Sequence, residues 1–256
     1  MNLFNISNKH IVITGAGGHL CGAMARGLAK SGAASVTVCD LRLEKSQEVV
    51  RQINAFGYNN TLAQAIDVTV KHAHQQVLDR VLDQFGACNV LINGAGINGP
   101  TPFFDITETE WDNIMDSQLK GTMFGCQVFG EHMVNQGTGS IINISSASAD
   151  PPLSRAFTYS VAKAGTVNLT KNLAREWGTQ GVRVNAIRPG FFPTEWNRKN
   201  FITPEREAAI LGHTPMRRYG EPDELIGAVV FLASDASSFV TGTEIIVDGG
   251  FSCQTI

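Results

Sequence analysis

Seven short apolar runs alternate along the chain with stretches of helical spacing, and that alternation leaves few folds open. The runs are residues 11–14, 35–40, 61–66, 90–93, 140–144, 182–187 and 244–247. Helical spacing occupies 20–31, 43–56, 70–85, 107–136, 158–179 and 222–233. Strands that are apolar on both faces must be covered on both sides, and strands joined through helices run parallel. The pattern predicts an α/β fold: one doubly wound (Rossmann-type) seven-stranded parallel sheet with helices on both faces. No repeat or linker interrupts it, so residues 1–256 are expected to form a single domain. One segment departs from the rhythm. Residues 191–215 hold Pro193, Pro204 and Pro215, several aromatics and only a short helical piece near 204–211. An irregular excursion of that length commonly covers a site, and it is expected to act as a substrate lid.

A chain of 256 residues, 43% apolar and 17% charged, can bury its own core without disulfides or metals. A net charge of -3 and a pI near 6.1 give no reason to expect nucleic acid or an anionic membrane as partner. No apolar run reaches the roughly 18 residues needed to span a bilayer. Residues 1–10 are polar and do not read as a signal peptide. Cys21, Cys39, Cys88, Cys126 and Cys253 are odd in number and never form a CxxC pair, which suits reduced thiols of a cytoplasmic protein. His72 and His74 are expected on an exposed helix face. They lack a cysteine or acidic ligand set nearby, so no metal site is expected.

The first strand runs into Thr14-Gly15-Ala16-Gly17-Gly18-His19-Leu20-Cys21-Gly22 and then a helix. Glycines let the backbone turn tightly and approach a pyrophosphate, which then faces the N–H groups of the helix start. Gly15, Gly17, Gly18, His19 and Leu20 are therefore cofactor-binding candidates. Asp40 ends the second strand, 25 residues after Gly15, at the offset where a carboxylate accepts hydrogen bonds from ribose hydroxyls. It would repel a 2′-phosphate and so favours NAD(H) over NADP(H), although Arg42 nearby could blunt the preference. Leu41 is counted with this site.

Further motifs follow in order. Asp67-Val68 come after the third strand and Asn93-Gly94-Ala95-Gly96 after the fourth. Ser146 follows the fifth strand, thirteen residues before Tyr159, and Tyr159 to Lys163 read YSVAK. Pro189-Gly190 precede Phe192 and Thr194, and Asp248-Gly249-Gly250 lie near the end. This ordered set resembles the short-chain dehydrogenase/reductase family over nearly the whole chain. The resemblance implies an oxidoreductase with Ser146, Tyr159 and Lys163 as catalytic residues. It further implies Asp67 and Val68 beside the adenine, Asn93 through Gly96 along the nucleotide, and Pro189, Gly190, Phe192 and Thr194 beside the nicotinamide. A narrower likeness lies in residues 18–25, 189–192, 213–216, 239–242 and 248–251. It points to the sugar-acid branch with D-mannonate oxidoreductases and gluconate dehydrogenases.

These residue types suit hydride chemistry. Oxidising an alcohol requires a base and reducing a ketone requires an acid, and a tyrosine near its free pKa of about 10 is a poor base at neutral pH. Lys163 lies four residues after Tyr159 and shares its helix face. Its ammonium is expected to stabilise phenolate and lower the Tyr159 pKa. The resemblance adds that Lys163 holds the nicotinamide ribose. Ser146 would hydrogen-bond the substrate oxygen as charge develops there.

The chain departs from the family in two places. His19 and Cys21 stand where the family pattern has glycines; Cys21 is expected to pack helix against sheet. Gln118 stands where the family has an asparagine that supports a water-linked path to the lysine. Gln118 is grouped with the catalytic set, but its added methylene leaves open a nucleotide-binding regulator with weak or no turnover.

Asn98, Arg155, Trp196, Asn197 and Arg198, with Ser146, are the candidate substrate contacts, and His213 is a more remote one. A guanidinium at Arg155 could clamp a carboxylate, while Asn197 and Arg198 suit sugar hydroxyls. Phe103, Phe104, Phe191, Phe192 and Trp196 could equally line an apolar pocket. The expected substrate is a small sugar acid or polyol, with 3-ketoacyl thioesters or another carbonyl class as the alternative. The resemblance also implies a homodimer or homotetramer paired through the region from Glu221 to Gly250. Val229, Val230, Phe231 and Leu232 would suit that interface or the core.

Overall fold

The computed structural model describes residues 2–151, 153–194, 197–199 and 202–254. Seven strands, β1 (His10–Thr14), β2 (Ser35–Asp40), β3 (Thr61–Ala65), β4 (Val90–Asn93), β5 (Gly139–Ile144), β6 (Val182–Pro189) and β7 (Glu244–Val247), form one sheet. Their order is β3-β2-β1-β4-β5-β6-β7, parallel throughout. All seven predicted strands are present, with β6 running two residues further and β3 ending one earlier. The order reverses between β1 and β4. In doubly wound sheets the crevice outside the strand ends at that reversal is where ligands bind.

Side chains alternate across this sheet, so each strand feeds two cores. Ile11 and Ile13 of β1, with Val90 and Ile92 of β4, pack on one face. They meet Met24 and Leu28 of α1 (His19–Lys30), Val49 and Ile53 of α2 (Leu43–Asn54), and Val229 and Leu232 further along the chain. Val12 and Leu91, the intervening positions, face the other way. They join Val77 and Val81 of α3 (Lys71–Phe85) and Phe129 and Met133 of α5 (Gly121–Gln136). Period-two alternation of fully apolar strands between two helical layers is what the sequence pattern requires.

Two local expectations are corrected. The continuous helix over 107–136 is in fact α4 (Glu108–Met115), a five-residue π turn (Asp116–Lys120) and α5. The wider turn buries Gln118. His74 is not exposed: it is fully buried with a ring nitrogen 3.0 Å from the Val68 carbonyl, while His72 faces out. Residues two apart on a helix lie on different faces, so these histidines share none. Of the two readings left open for 229–232, the core holds Val229 and Leu232 of α8 (Ile226–Ala233), and Val230 and Phe231 pack partly against it. The exposed apolar side chains of this region are Phe239 and Ile246.

α6 (Phe157–Trp177) packs beside β6 and the π turn, and α7 (Pro204–His213) lies within the 191–215 excursion. Arg206 of α7 donates to the Ser154 hydroxyl (3.3 Å) and carbonyl (3.5 Å), tying that excursion to the loop between Ser146 and Tyr159. No helix among the described residues is long and apolar enough to cross a membrane.

Candidate active site

Ser146 lies two residues beyond β5, and its hydroxyl oxygen accepts from the Ser148 N–H (3.2 Å) and hydroxyl (3.1 Å). A serine hydroxyl has one proton and two lone pairs. With its acceptor sites engaged by Ser148, Ser146 keeps its proton to donate. Tyr159, in the first turn of α6, brings its phenol near that hydroxyl, which favours the phenolate. Lys163 follows one turn later with Nζ 5.5 Å from the Tyr159 ring centre. Its buried ammonium donates to the Ile144 carbonyl at 2.5 Å. Three residues from two elements thus meet at the end of β5.

The electrostatics differ from expectation in one respect. Burial pushes the Tyr159 phenol above its ordinary value, and the Ser146 hydroxyl opposes this only in part. The expected lowering by Lys163 is not what governs the phenol here. Lys163 is itself so desolvated that its pKa falls to about 8, and a buried charge is costly to either partner.

The glycine loop reaches across from β1. Gly15 has φ +70°, and a Cβ there would lie 2.7 Å from Ala95 Cα, so only glycine brings this turn against the end of β4. Thr14 Oγ1 accepts from the Gly94 and Ala95 N–H groups (3.2 and 3.4 Å) and fastens the two strand ends together. Gly18 is the N-cap of α1, His19 is exposed at its first position, and Leu20 leans on the core. Cys21 sits where a Gly94 Cβ would approach within 2.2 Å of its sulfur, so a bare Gly94 makes room for the thiol. It packs helix against sheet, as expected.

Asp40 lies against the same loop: a Cβ on Gly17 would fall 2.7 Å from its Oδ2. Its Oδ1 accepts from the Arg42 N–H (3.1 Å), and Leu41 is exposed beside it. Asp67 is exposed and its Oδ1 accepts from Thr69 N–H and Oγ1 (2.9 and 2.7 Å), while Val68 is buried. A glycine-rich loop, a twelve-residue helix starting on it and a carboxylate at the end of β2 fit a dinucleotide.

Asn93 is more constrained than its motif suggests. Its Nδ2 donates to Asn143 Oδ1 (2.9 Å), whose own amide donates to Thr170 Oγ1 (2.9 Å). The side chain therefore belongs to a buried network joining β4, β5 and α6 and is not turned to the cleft. Gly190 N–H donates to the Val247 carbonyl (2.9 Å), fixing Pro189 and Gly190 at the end of β6 beside β7. Phe192 packs partly against the core. Thr194 caps a short helical turn, with Oγ1 accepting from Asn197 N–H (3.0 Å) and its carbonyl from Arg198 N–H (2.9 Å).

The substrate candidates are less gathered. Arg155 is exposed, with φ +59° in the loop between Ser146 and Tyr159. Asn98 is exposed and its Oδ1 accepts from Gly99 N–H (2.8 Å). Asn197 is exposed, and Trp196 lies outside the described residues. Arg198 stacks its guanidinium 4.7 Å from the Tyr219 ring centre. His213 packs edge-on against Phe251, 4.8 Å between centres. Phe103 and Phe104 are exposed, and Phe103 contacts Phe157 at 5.2 Å. Sequence reading gave Ser148 and Thr14 no role. The first sits two residues past the Ser146 hydroxyl, the second immediately before the glycine loop.

Comparison with known proteins places this geometry. A family model described as Enoyl-(Acyl carrier protein) reductase matches residues 17–252. The chain is 38% identical to the uncharacterized oxidoreductase UxuB of Bacillus subtilis, over 96% of both chains. It is 32% identical to the 2-dehydro-3-deoxy-D-gluconate 5-dehydrogenase of Escherichia coli, over 98% of both. Among solved structures it superposes on a gluconate 5-dehydrogenase of Burkholderia cenocepacia, in complex with NADP and tartrate. The TM-score is 0.93, with 31% identity and 99% of each chain covered.

Proposed function

The chain belongs to the short-chain dehydrogenase/reductase family of oxidoreductases, and we propose that it interconverts a secondary hydroxyl and a ketone on a small sugar acid, with NAD(H) as its nucleotide. The meeting of Tyr159, Ser146 and Lys163 at the end of β5 carries this reading. The glycine loop and Asp40 would hold a nicotinamide nucleotide, which would supply or accept the hydride. In the reducing direction the Tyr159 phenol passes its proton to the substrate oxygen, and the Ser146 hydroxyl, held by Ser148, donates to that same oxygen. In the oxidising direction Tyr159 takes the hydroxyl proton. The Lys163 ammonium, one turn away, offsets the negative charge that the phenolate carries before it takes that proton, or after it has given one up in the reducing direction.

Asp40 supports the preference for NAD(H), because its carboxylate at the loop would face a 2′-phosphate. The NADP in the Burkholderia relative belongs to that protein. The sugar-acid reading is supported by the names of the dehydrogenase relatives and by Arg155, an exposed guanidinium between Ser146 and Tyr159 suited to a carboxylate. The 191–215 segment, latched to Ser154 by Arg206, is read as the cover of this cleft.

Following NADH absorbance against keto-gluconates, keto-uronates, 3-ketoacyl thioesters and simple ketones tests the proposal. A keto acid sugar should give the highest kcat/KM, at least tenfold higher with NADH than with NADPH. Fastest turnover of a thioester would transfer the protein to another carbonyl class. Tight NADH binding without any turnover would make it a regulator.

A further inference from the structure

Gln118 occupies the middle of the π turn with only 4% of its surface exposed. Its Nε2 donates to the Ile97 carbonyl at 2.7 Å, which fixes the orientation of the amide. Its Oε1 is buried and has no partner. The amide lies flat on Gly96: a Cβ there would fall 2.2 to 2.5 Å from Cδ, Oε1 and Nε2. Gly96 follows Gly94 and Ala95, whose N–H groups are fastened to Thr14 at the glycine loop. The orphaned oxygen therefore lies directly behind Gly96, in the segment expected to follow the nucleotide.

A buried carbonyl without a donor bears the full loss of its hydration. The rotation that would relieve it is opposed by the Ile97 tether, and a donor brought by something that binds at residues 93–96 would relieve it. We propose that Gln118 is a cofactor-binding residue whose Oε1 accepts a hydrogen bond from a ribose hydroxyl or carboxamide N–H at the nicotinamide end of the bound nucleotide. This rests on the nucleotide-dependent reading given above. The extra methylene relative to asparagine then extends the acceptor toward the nucleotide, while Nε2 holds the 96–98 loop in place.

Fluorescence titration of the full chain with NADH, without substrate, tests this in Q118M, with AMP as the parallel probe for the adenosine end. Loss of a buried hydrogen bond weakens binding by about tenfold. Q118M is expected to bind NADH about tenfold more weakly and AMP as the wild type does. NADH affinity within about twofold of wild type would overturn the proposal, as would an equal loss for both probes, which would mark a merely structural role. Should Q118M fail to fold, Q118N carries the test. Drawing the oxygen back by one methylene should weaken NADH at least threefold, and unchanged affinity would overturn it. A wild-type chain that binds no NADH would sink the functional reading instead.

Discussion

Lys163 shows what a single residue contributes and what it costs. Burial lowers its pKa from the ordinary 10.5 to about 8. Between those values the unfolded chain binds more protons than the folded one, so this group's contribution to stability improves as pH rises from about 8 to 10.5. Below about 8 the full cost, on the order of 3 kcal/mol, is present. K163M should therefore unfold at a higher temperature than wild type at pH 7, by a few degrees, with the advantage lost near pH 10.5. Thermal unfolding at both pH values checks this, and a K163M difference that does not change with pH would refute the sign. The candidate catalytic positions Ser146, Tyr159 and Lys163 were named through the family resemblance, whose serine-to-YxxxK spacing they match. The direction of the Tyr159 shift was not legible, since burial outweighs a neighbouring charge only once the packing is known. Nor was Ser148, whose contact with Ser146 depends on a tight turn.

At the level of elements, the strands were the clearest feature. Runs such as Ile11–Ile13 and Val90–Ile92 are apolar at consecutive positions, which only a sheet covered on both faces accommodates. Helix ends were legible where chemistry marks them, as at Thr203-Pro204, where the Thr203 hydroxyl accepts from Arg206 N–H. The π turn was hidden: one extra residue in a turn leaves helical spacing on either side intact. It is nevertheless what buries Gln118 against Gly96. The burial of His74 was hidden for a related reason, because an HxH pair reads as a unit in sequence and splits onto two faces of a helix. The irregular 191–215 segment was legible as an excursion, but its latch through Arg206 to Ser154 joins residues 52 apart and has no local signal.

For the whole molecule, the reversal of strand order between β1 and β4 brings the glycine loop, Asp40 and the end of β4 to one edge of the sheet, with the end of β5 beside them. The opposite consideration is what the fold leaves uncovered. Phe239 is fully exposed, Ile246 on edge strand β7 is half exposed, and Phe104 is 96% exposed. Ile246 on this unpaired edge, with Phe239 shortly before it, suits burial against another copy, and we propose that the chain self-associates. Sedimentation velocity at micromolar concentration should return a dimer or tetramer, and a monomer would contradict this.

The central claim is that the Tyr159 phenol exchanges the proton while its neighbours position and polarise. Steady-state turnover of Y159F beside its NADH dissociation constant tests that most directly. Removing one hydroxyl should lower kcat by at least about 100-fold and leave NADH affinity within about threefold of wild type. Turnover close to wild type in Y159F would contradict the account.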